Sequence, residues 1–233
     1  SRTLNRLEIG DLTTLKKAGL SRIHVGLESG SDRVLKYMQK GVTAEQHKKA
    51  GLKVKEAGIL LSEYVLLGLG GRDMWRDHAL ETANILNEIN PDYIRLRTLA
   101  VPPSCPLFEH VQKGDFAPLN DDGIIVEESL LIDNLNDIGR YIYSDHILNL
   151  LEEVEGKLPK DKQFMIDTIN YYLDLPVKKR ELFRLGRRSG IFRVLKDMNT
   201  ESLLSSVKGL YNKLNESGQT VDSFIEEQVK KFV

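Results

Sequence analysis

Arg22-Ile23-His24-Val25-Gly26-Leu27-Glu28-Ser29-Gly30-Ser31-Asp32 decides how this chain is read. Side chains alternate across an extended segment, so His24, Gly26 and Glu28 share one strand face while Ile23, Val25 and Leu27 share the other. Ser31-Asp32 then offers an N-cap for a helix whose Val34, Leu35 and Met38 recur at helical spacing and which ends before Gly41. Strand, turn and helix make one βα unit, and the flanking sequence supplies more.

Upstream, residues 11–17 predict a helix stopped by Gly19. Downstream, Thr43 with Gln46 reads as a capping box for a helix carrying Ala50, Val54 and Ala57 to Gly58. Residues 60–67 are nearly all apolar, as a strand covered on both faces should be. A helix over 75–89 is broken by Asn90-Pro91-Asp92, and a last strand covers 93–99. Pro102, Pro103 and Pro106 end the alternation, and after Leu119 everything reads as helix, over roughly 124–137, 144–155, 161–173, 178–186 and 200–232. The pattern predicts an α/β fold of parallel strands, an incomplete barrel or open sheet, over 1–118 and a helical extension over 119–233.

The chain has 233 residues, 33 Lys and Arg against 34 Asp and Glu, and one cysteine. A net charge of −1 supplies no bulk field for nucleic acid or an anionic membrane. One cysteine excludes a disulfide framework and any cysteine-ligated cluster built by this chain alone. No apolar run is long enough to span a bilayer, and Ser1-Arg2-Thr3-Leu4 opens no signal peptide, so the expectation is a cytoplasmic protein.

The last strand opposes Tyr93, Arg95 and Arg97 to Ile94, Leu96 and Thr98. Closed barrels fill their middle with branched apolar side chains, so an interior lined by His24, Glu28, Tyr93, Arg95 and Arg97 points to a cavity. The competing reading pairs Arg95 and Arg97 with Glu28 and Glu63 in a buried structural network. Glu28, Gly68 and Arg97 sit at C-terminal strand ends, where parallel α/β folds gather functional groups. Leu67-Gly68-Leu69-Gly70-Gly71 lacks the Lys-Ser/Thr of a P-loop and the dinucleotide glycine spacing.

The quoted run, continued by Val34-Leu35-Lys36, Met38 and Lys40-Gly41-Val42-Thr43, closely resembles the fourth strand and turn of radical S-adenosylmethionine enzymes, in the branch of oxygen-independent coproporphyrinogen oxidases, methylthiotransferases and the Elongator catalytic subunit. Glu63-Tyr64-Val65-Leu66-Leu67-Gly68-Leu69-Gly70-Gly71 resembles that family's fifth strand, and 92–99 with Pro102-Pro103-Ser104-Cys105-Pro106 its sixth. The resemblance covers 1–118. It implies the C-terminal half of a partial (β/α)6 TIM-like barrel, in an iron–sulfur oxidoreductase. Such an enzyme binds S-adenosylmethionine against a four-iron–four-sulfur cluster and cleaves it reductively to a 5′-deoxyadenosyl radical that abstracts hydrogen from a substrate. Glu28 matches the acid that hydrogen-bonds the cofactor's ribose or amino group, Lys40 a base facing its carboxylate, and Leu66 and Gly68 the adenine contact. Arg97 matches a polar group near the sulfonium or the substrate, while His24, Tyr64, Arg95 and His146 are candidates for the substrate lumen.

The family's Cys-x-x-x-Cys-x-x-Cys triplet is missing, and Cys105 reads as structural. The expectation is therefore a fragment without the first three βα units, inactive and without bound cofactor, whose open strand edges drive self-association. The alternative is a barrel-derived binding or scaffolding domain. His78, His47 and His110 read as surface or packing histidines, and Asp145, His146 and Asn149 as neighbours within one helical turn at the barrel mouth. Lys178, Lys179, Arg180, Arg184, Arg187, Arg188 and Arg193 form a basic cluster; a solvated helix face or packing against the acidic stretch Glu152 to Glu155 is the better reading than contact with RNA or a phosphorylated substrate. The substrate is beyond the sequence.

Overall fold

Strands expected near residues 23, 62 and 95 lie side by side and parallel in a computed structural model, which describes residues 1–136 and 139–229. They are β1 (Arg22–Glu28), β2 (Leu60–Leu67) and β3 (Tyr93–Thr98), joined by β4 (Tyr141–Tyr143), parallel to β3, and β5 (Gly156–Lys157), antiparallel to β4. The order is β1-β2-β3-β4-β5. Successive parallel neighbours need crossovers, and helices make them. Before β1 come α1 (Arg2–Arg6) and α2 (Ile9–Lys17); α3 (Asp32–Tyr37) and α4 (Ala44–Glu56) lead to β2, and α5 (Gly71–Ile89) to β3. Then α6 (Pro106–Lys113) and α7 (Asp121–Asp133) lead to β4. After β5 follow α8 (Lys162–Leu173), α9 (Val177–Arg188), α10 (Glu201–Glu216) and α11 (Val221–Val229).

Local chemistry explains most boundaries. The Thr43 hydroxyl accepts from the Gln46 amide at 3.2 Å, and the Gln46 side chain accepts from the Thr43 amide at 3.0 Å. Pro106 sits in the first turn of α6, where its missing N–H has no partner to lose. Gly30 lets α5 approach: an added Cβ would stand 2.7 Å from the Thr82 Cα, and its amide donates to the Thr82 hydroxyl at 2.8 Å.

Several expectations are corrected. The region after Leu119 is not all helix, because β4 and β5 extend the sheet there. Three residues are too few for a strand period to register, and the open β3 edge gives Tyr141-Ile142-Tyr143 its backbone partners. Residues 144–155 form no helix. Ser144 Oγ donates to the Leu151 carbonyl and Asn149 Nδ2 to that of Leu96, contacts that compete with helical bonding. The span 200–232 divides into α10 and α11 around Gly218, and its residues 230–232, like residue 137 at the end of the expected 124–137 helix, lie outside the described residues. Helices α1 and α6 went unpredicted, and α5 starts four residues earlier than expected, at Gly71.

The apolar sheet face is covered twice. Leu4, Leu12, Ala50 and Val54 cover Val25 and Leu61, while Leu27, Val65, Leu67, Ile94 and Leu96 share one core with α5, α7 and the helices after β5. On the opposite face His24, Gly26, Tyr64, Arg95 and Arg97 stay partly or fully exposed. Among the described residues no helix is long and apolar enough to cross a membrane.

Candidate functional site

The strand register assembles the open face row by row. Gly26 lies beside Tyr64, Tyr64 beside Arg95 and Arg95 beside Tyr143; one row on, Leu66 lies beside Arg97. The His24 ring is 5.9 Å from Tyr64, and the Arg97 guanidinium stands 4.9 Å over the Tyr64 ring. Arg95 lies 5.8 Å from Tyr64 and 5.0 Å from Tyr143, both cation–π geometries. Burial and the cations Arg22 and Arg95 push the His24 pKa down.

Arg95 and Arg97 do not pair with Glu28 and Glu63. Both reach Asp145, Arg95 on Oδ2 and Arg97 on Oδ1, the latter at 2.8 Å. Burial works to raise Asp145, but the two guanidiniums hold it below the ordinary carboxylate value. Glu63 lies on the helix-facing side between Val25 and Ile94, where burial pushes its carboxyl up to about 8. Asp145 comes from a loop, as does His146, whose Nδ1 accepts from the Thr98 amide at 3.3 Å. Asn149 completes the attachment, accepting from the Thr98 hydroxyl at 2.9 Å. The three residues expected to meet on a helical turn thus meet at the end of β3 instead.

Glu28 and Lys40 come together as an ion pair at the end of β1. A bulge between Gly26 and Glu28 and a left-handed φ of 62° at Glu28 turn the carboxylate back over Gly26. An added Cβ on Gly26 would stand 3.2 Å from Glu28 Oε1, so the glycine provides that room. Glu28, Lys40, Gly26, Val42 and His47 line a cleft of about 270 Å³ with Ser1 and Arg2. His47 Nδ1 shares a hydrogen bond of 2.8 Å with the Ser1 hydroxyl, and burial pushes the ring down to about 4.

Gly68 and Leu66 face a different neighbour. The Gly68 amide donates to Glu127 Oε1 of α7 at 2.6 Å, and Ile124 occupies the space a Cβ would need. The Leu66 carbonyl accepts from His78 Nε2 at 3.1 Å, which leaves Nδ1 to accept from the Ser29 hydroxyl at 2.8 Å. His78 therefore ties the ends of β1 and β2 together from α5. Burial pushes His78 down to about 4 and Glu127 and Glu128 up to about 8, so all three are neutral near pH 7. The sequence reading named neither Glu127 nor Glu128. Their spacing from Ile124, Leu131 and Ile132, on the buried side of α7, was the available signal.

The five arginines of the basic cluster pair with carboxylates of this chain. Arg188 and Arg184 reach buried Asp121 at 2.5 and 3.3 Å, Arg180 reaches Asp122 at 3.0 Å, and Arg187 and Arg193 reach Glu152 at 3.2 and 2.6 Å. Cys105 occupies the N-cap position of α6 without a side-chain capping bond, and among the described residues no group of three His, Cys, Asp or Glu side chains is placed to hold a metal ion.

The radical SAM superfamily profile matches residues 3–83. Curated relatives are tRNA uridine(34) acetyltransferases of Methanocaldococcus jannaschii and Methanocaldococcus infernus, each 23% identical over 116 residues, or 49% of this chain. The chain spans 21% and 22% of their lengths, about a fifth. Among solved structures, archaeal Methanocaldococcus infernus Elp3 with an N-terminal deletion superposes with a TM-score of 0.51 at 20% identity, over 61% of this chain and 34% of that one, a likeness of fold. The matched residues 3–83 hold α1 to α4, β1, β2 and the first part of α5, so the likeness to the radical SAM superfamily lies in that part of the chain.

Proposed function

We propose that this chain forms part of the S-adenosylmethionine cradle of a radical SAM enzyme, with Glu28 and Lys40 as its polar contacts. The observation that carries the reading is their ion pair beside the bare backbone of Gly26, at a C-terminal strand end. A carboxylate there accepts from hydroxyl or ammonium groups, and the Lys40 ammonium donates to a carboxylate, which suits the two polar ends of that cofactor. A cleft of about 270 Å³ falls below the roughly 300–1,000 Å³ of sites for drug-sized ligands, so it takes part of such a molecule. Bound beside its cluster, S-adenosylmethionine supplies the radical that abstracts hydrogen from a substrate. The residues here do not fit the cluster, which needs several thiolates where this chain has one cysteine. The chain by itself is therefore inactive in cofactor cleavage. Its part is to orient the cofactor, with Glu127 and His78 bracing the strand ends from behind, while the open face of His24, Tyr64, Arg95 and Arg97 meets the substrate.

Calorimetric titration of S-adenosylmethionine into the 233-residue chain tests this. Binding should weaken about tenfold in Glu28→Ala and in Lys40→Ala, the loss expected for one charge-assisted contact. Reconstitution with iron and sulfide should yield no four-iron cluster absorbance and no 5′-deoxyadenosine. Absence of binding, or binding indifferent to both substitutions, would refute the cradle and favour a scaffolding domain.

A further inference from the structure

We infer that Arg95 and Arg97 form a receptor for a substrate oxyanion, a carboxylate or a phosphate monoester, and that Asp145 is a resident anion the substrate displaces. The inference rests on the reading that the open sheet face is the substrate side.

Residues two apart on a strand point the same way, so β3 presents both guanidiniums to one ligand. They already grip an oxyanion, one on each Asp145 oxygen. The grip is incomplete. Each guanidinium offers five N–H donors, yet Arg95 Nε is buried without a partner among the described residues. Two cations face one carboxylate, and the acids of the sequence-based alternative are elsewhere, Glu28 on Lys40 and Glu63 on the opposite face. The Tyr64 and Tyr143 rings flank the guanidiniums, so a ligand carrying a flat apolar group beside its anion gains contact area there.

Asp145 is built to leave. Its side chain is 38% exposed, and the loop that bears it is fastened by neighbours. Asn149 donates to the Leu96 carbonyl at 3.1 Å, Ser144 donates to the Leu151 carbonyl at 3.0 Å, and His146 takes the Thr98 amide. Rotating Asp145 outward breaks none of these bonds. A planar fork that binds carboxylate and phosphate alike explains arginine rather than lysine at both positions.

The test titrates phenyl phosphate, benzoate and inorganic phosphate into the wild-type chain, Asp145→Asn and Asp145→Asn/Arg97→Gln, by calorimetry at low salt. Removing the resident anion should tighten binding of an aromatic oxyanion about tenfold, and adding Arg97→Gln should abolish the gain. The preferred probe, phenyl phosphate or benzoate, identifies the oxyanion. Equal affinity of Asp145→Asn and wild type, or a gain that survives Arg97→Gln, overturns the inference. If Asp145→Asn does not fold, as judged by near-ultraviolet circular dichroism, Arg95→Gln in the wild-type background reads the same point: phenyl phosphate binding must fall about tenfold, and unchanged binding refutes it. S-adenosylmethionine binding retained with no oxyanion effect overturns this inference alone, whereas the reverse result overturns the cradle alone.

Discussion

Glu127→Gln should make the protein progressively more stable than wild type as pH rises. Burial raises the Glu127 carboxyl to about 8 from an ordinary 4.5, so between those values the folded chain holds a proton that the unfolded chain has released. A carboxyl raised in this way supports the fold fully below pH 4.5, and that support is lost as pH climbs toward 8. Linkage sets the rate of loss at about 1.4 kcal/mol per pH unit. Glutamine copies the neutral acid and keeps an oxygen for the Gly68 amide, now held at 2.6 Å, but has no proton to release. Its stability relative to wild type should therefore rise by about 3 kcal/mol from pH 5.5 to pH 7.5, on top of a constant offset for the changed carboxamide. Urea denaturation of both proteins at three pH values in that interval measures the slope. His47 and His78, pushed down by burial to about 4, stay neutral across this interval in both proteins, His78 with its Nε2 3.6 Å from Glu127 Oε1, and Glu128 is raised first by burial, which both proteins share. A difference independent of pH would mean that Glu127 is ionised in the fold, and the reasoning about the brace behind the strand ends would fail.

Gly30→Ala should lose about 1–3 kcal/mol, because the new methyl meets the α5 backbone, whereas Gly209→Ala, with open space in exposed α10, should gain about 0.5–1 kcal/mol; calorimetric melting of the two variants checks both signs. Asp121→Asn should cost about 3–5 kcal/mol at pH 7 by leaving the Arg188 guanidinium buried without a carboxylate and Arg184 with Asp222 alone. Burial opposes that carboxylate's ionisation, yet the two arginines hold it below 3.8, so its contribution is present above that value and fades as pH falls further. Chemical denaturation should accordingly show wild type and Asp121→Asn converging in acid, and a gap that persists there would argue against the pair.

Elements whose signals are local were legible. The capping box at Thr43 and Gln46, the apolar run of β2 and the polar–apolar alternation of β3 each follow from neighbouring residues, and each stands where expected. The failures share a cause. Short β4 has no period of its own and exists because β3 has an edge to pair with. Leu148, Leu150, Leu151 and Val154 are all buried, but Asn149 ties their loop to strand backbone and no helix forms.

The candidate site divides along the same line. That Glu28, Gly68 and Arg97 lie at strand ends followed from alternation and strand direction alone, as did the shared face of Tyr64, Arg95 and Arg97. Which charges meet did not follow. Asp145 and the arginines are about fifty residues apart, with |i−j| of 50 and 48, and Glu127 is 59 residues from Gly68. By itself the sequence determined the parallel βα order and the polarity of each strand face, because both depend on residues within one or two turns. Only the tertiary structure decided the partner of each buried charge, because carboxylates and guanidiniums pair by proximity after the chain has folded and no local pattern encodes that proximity.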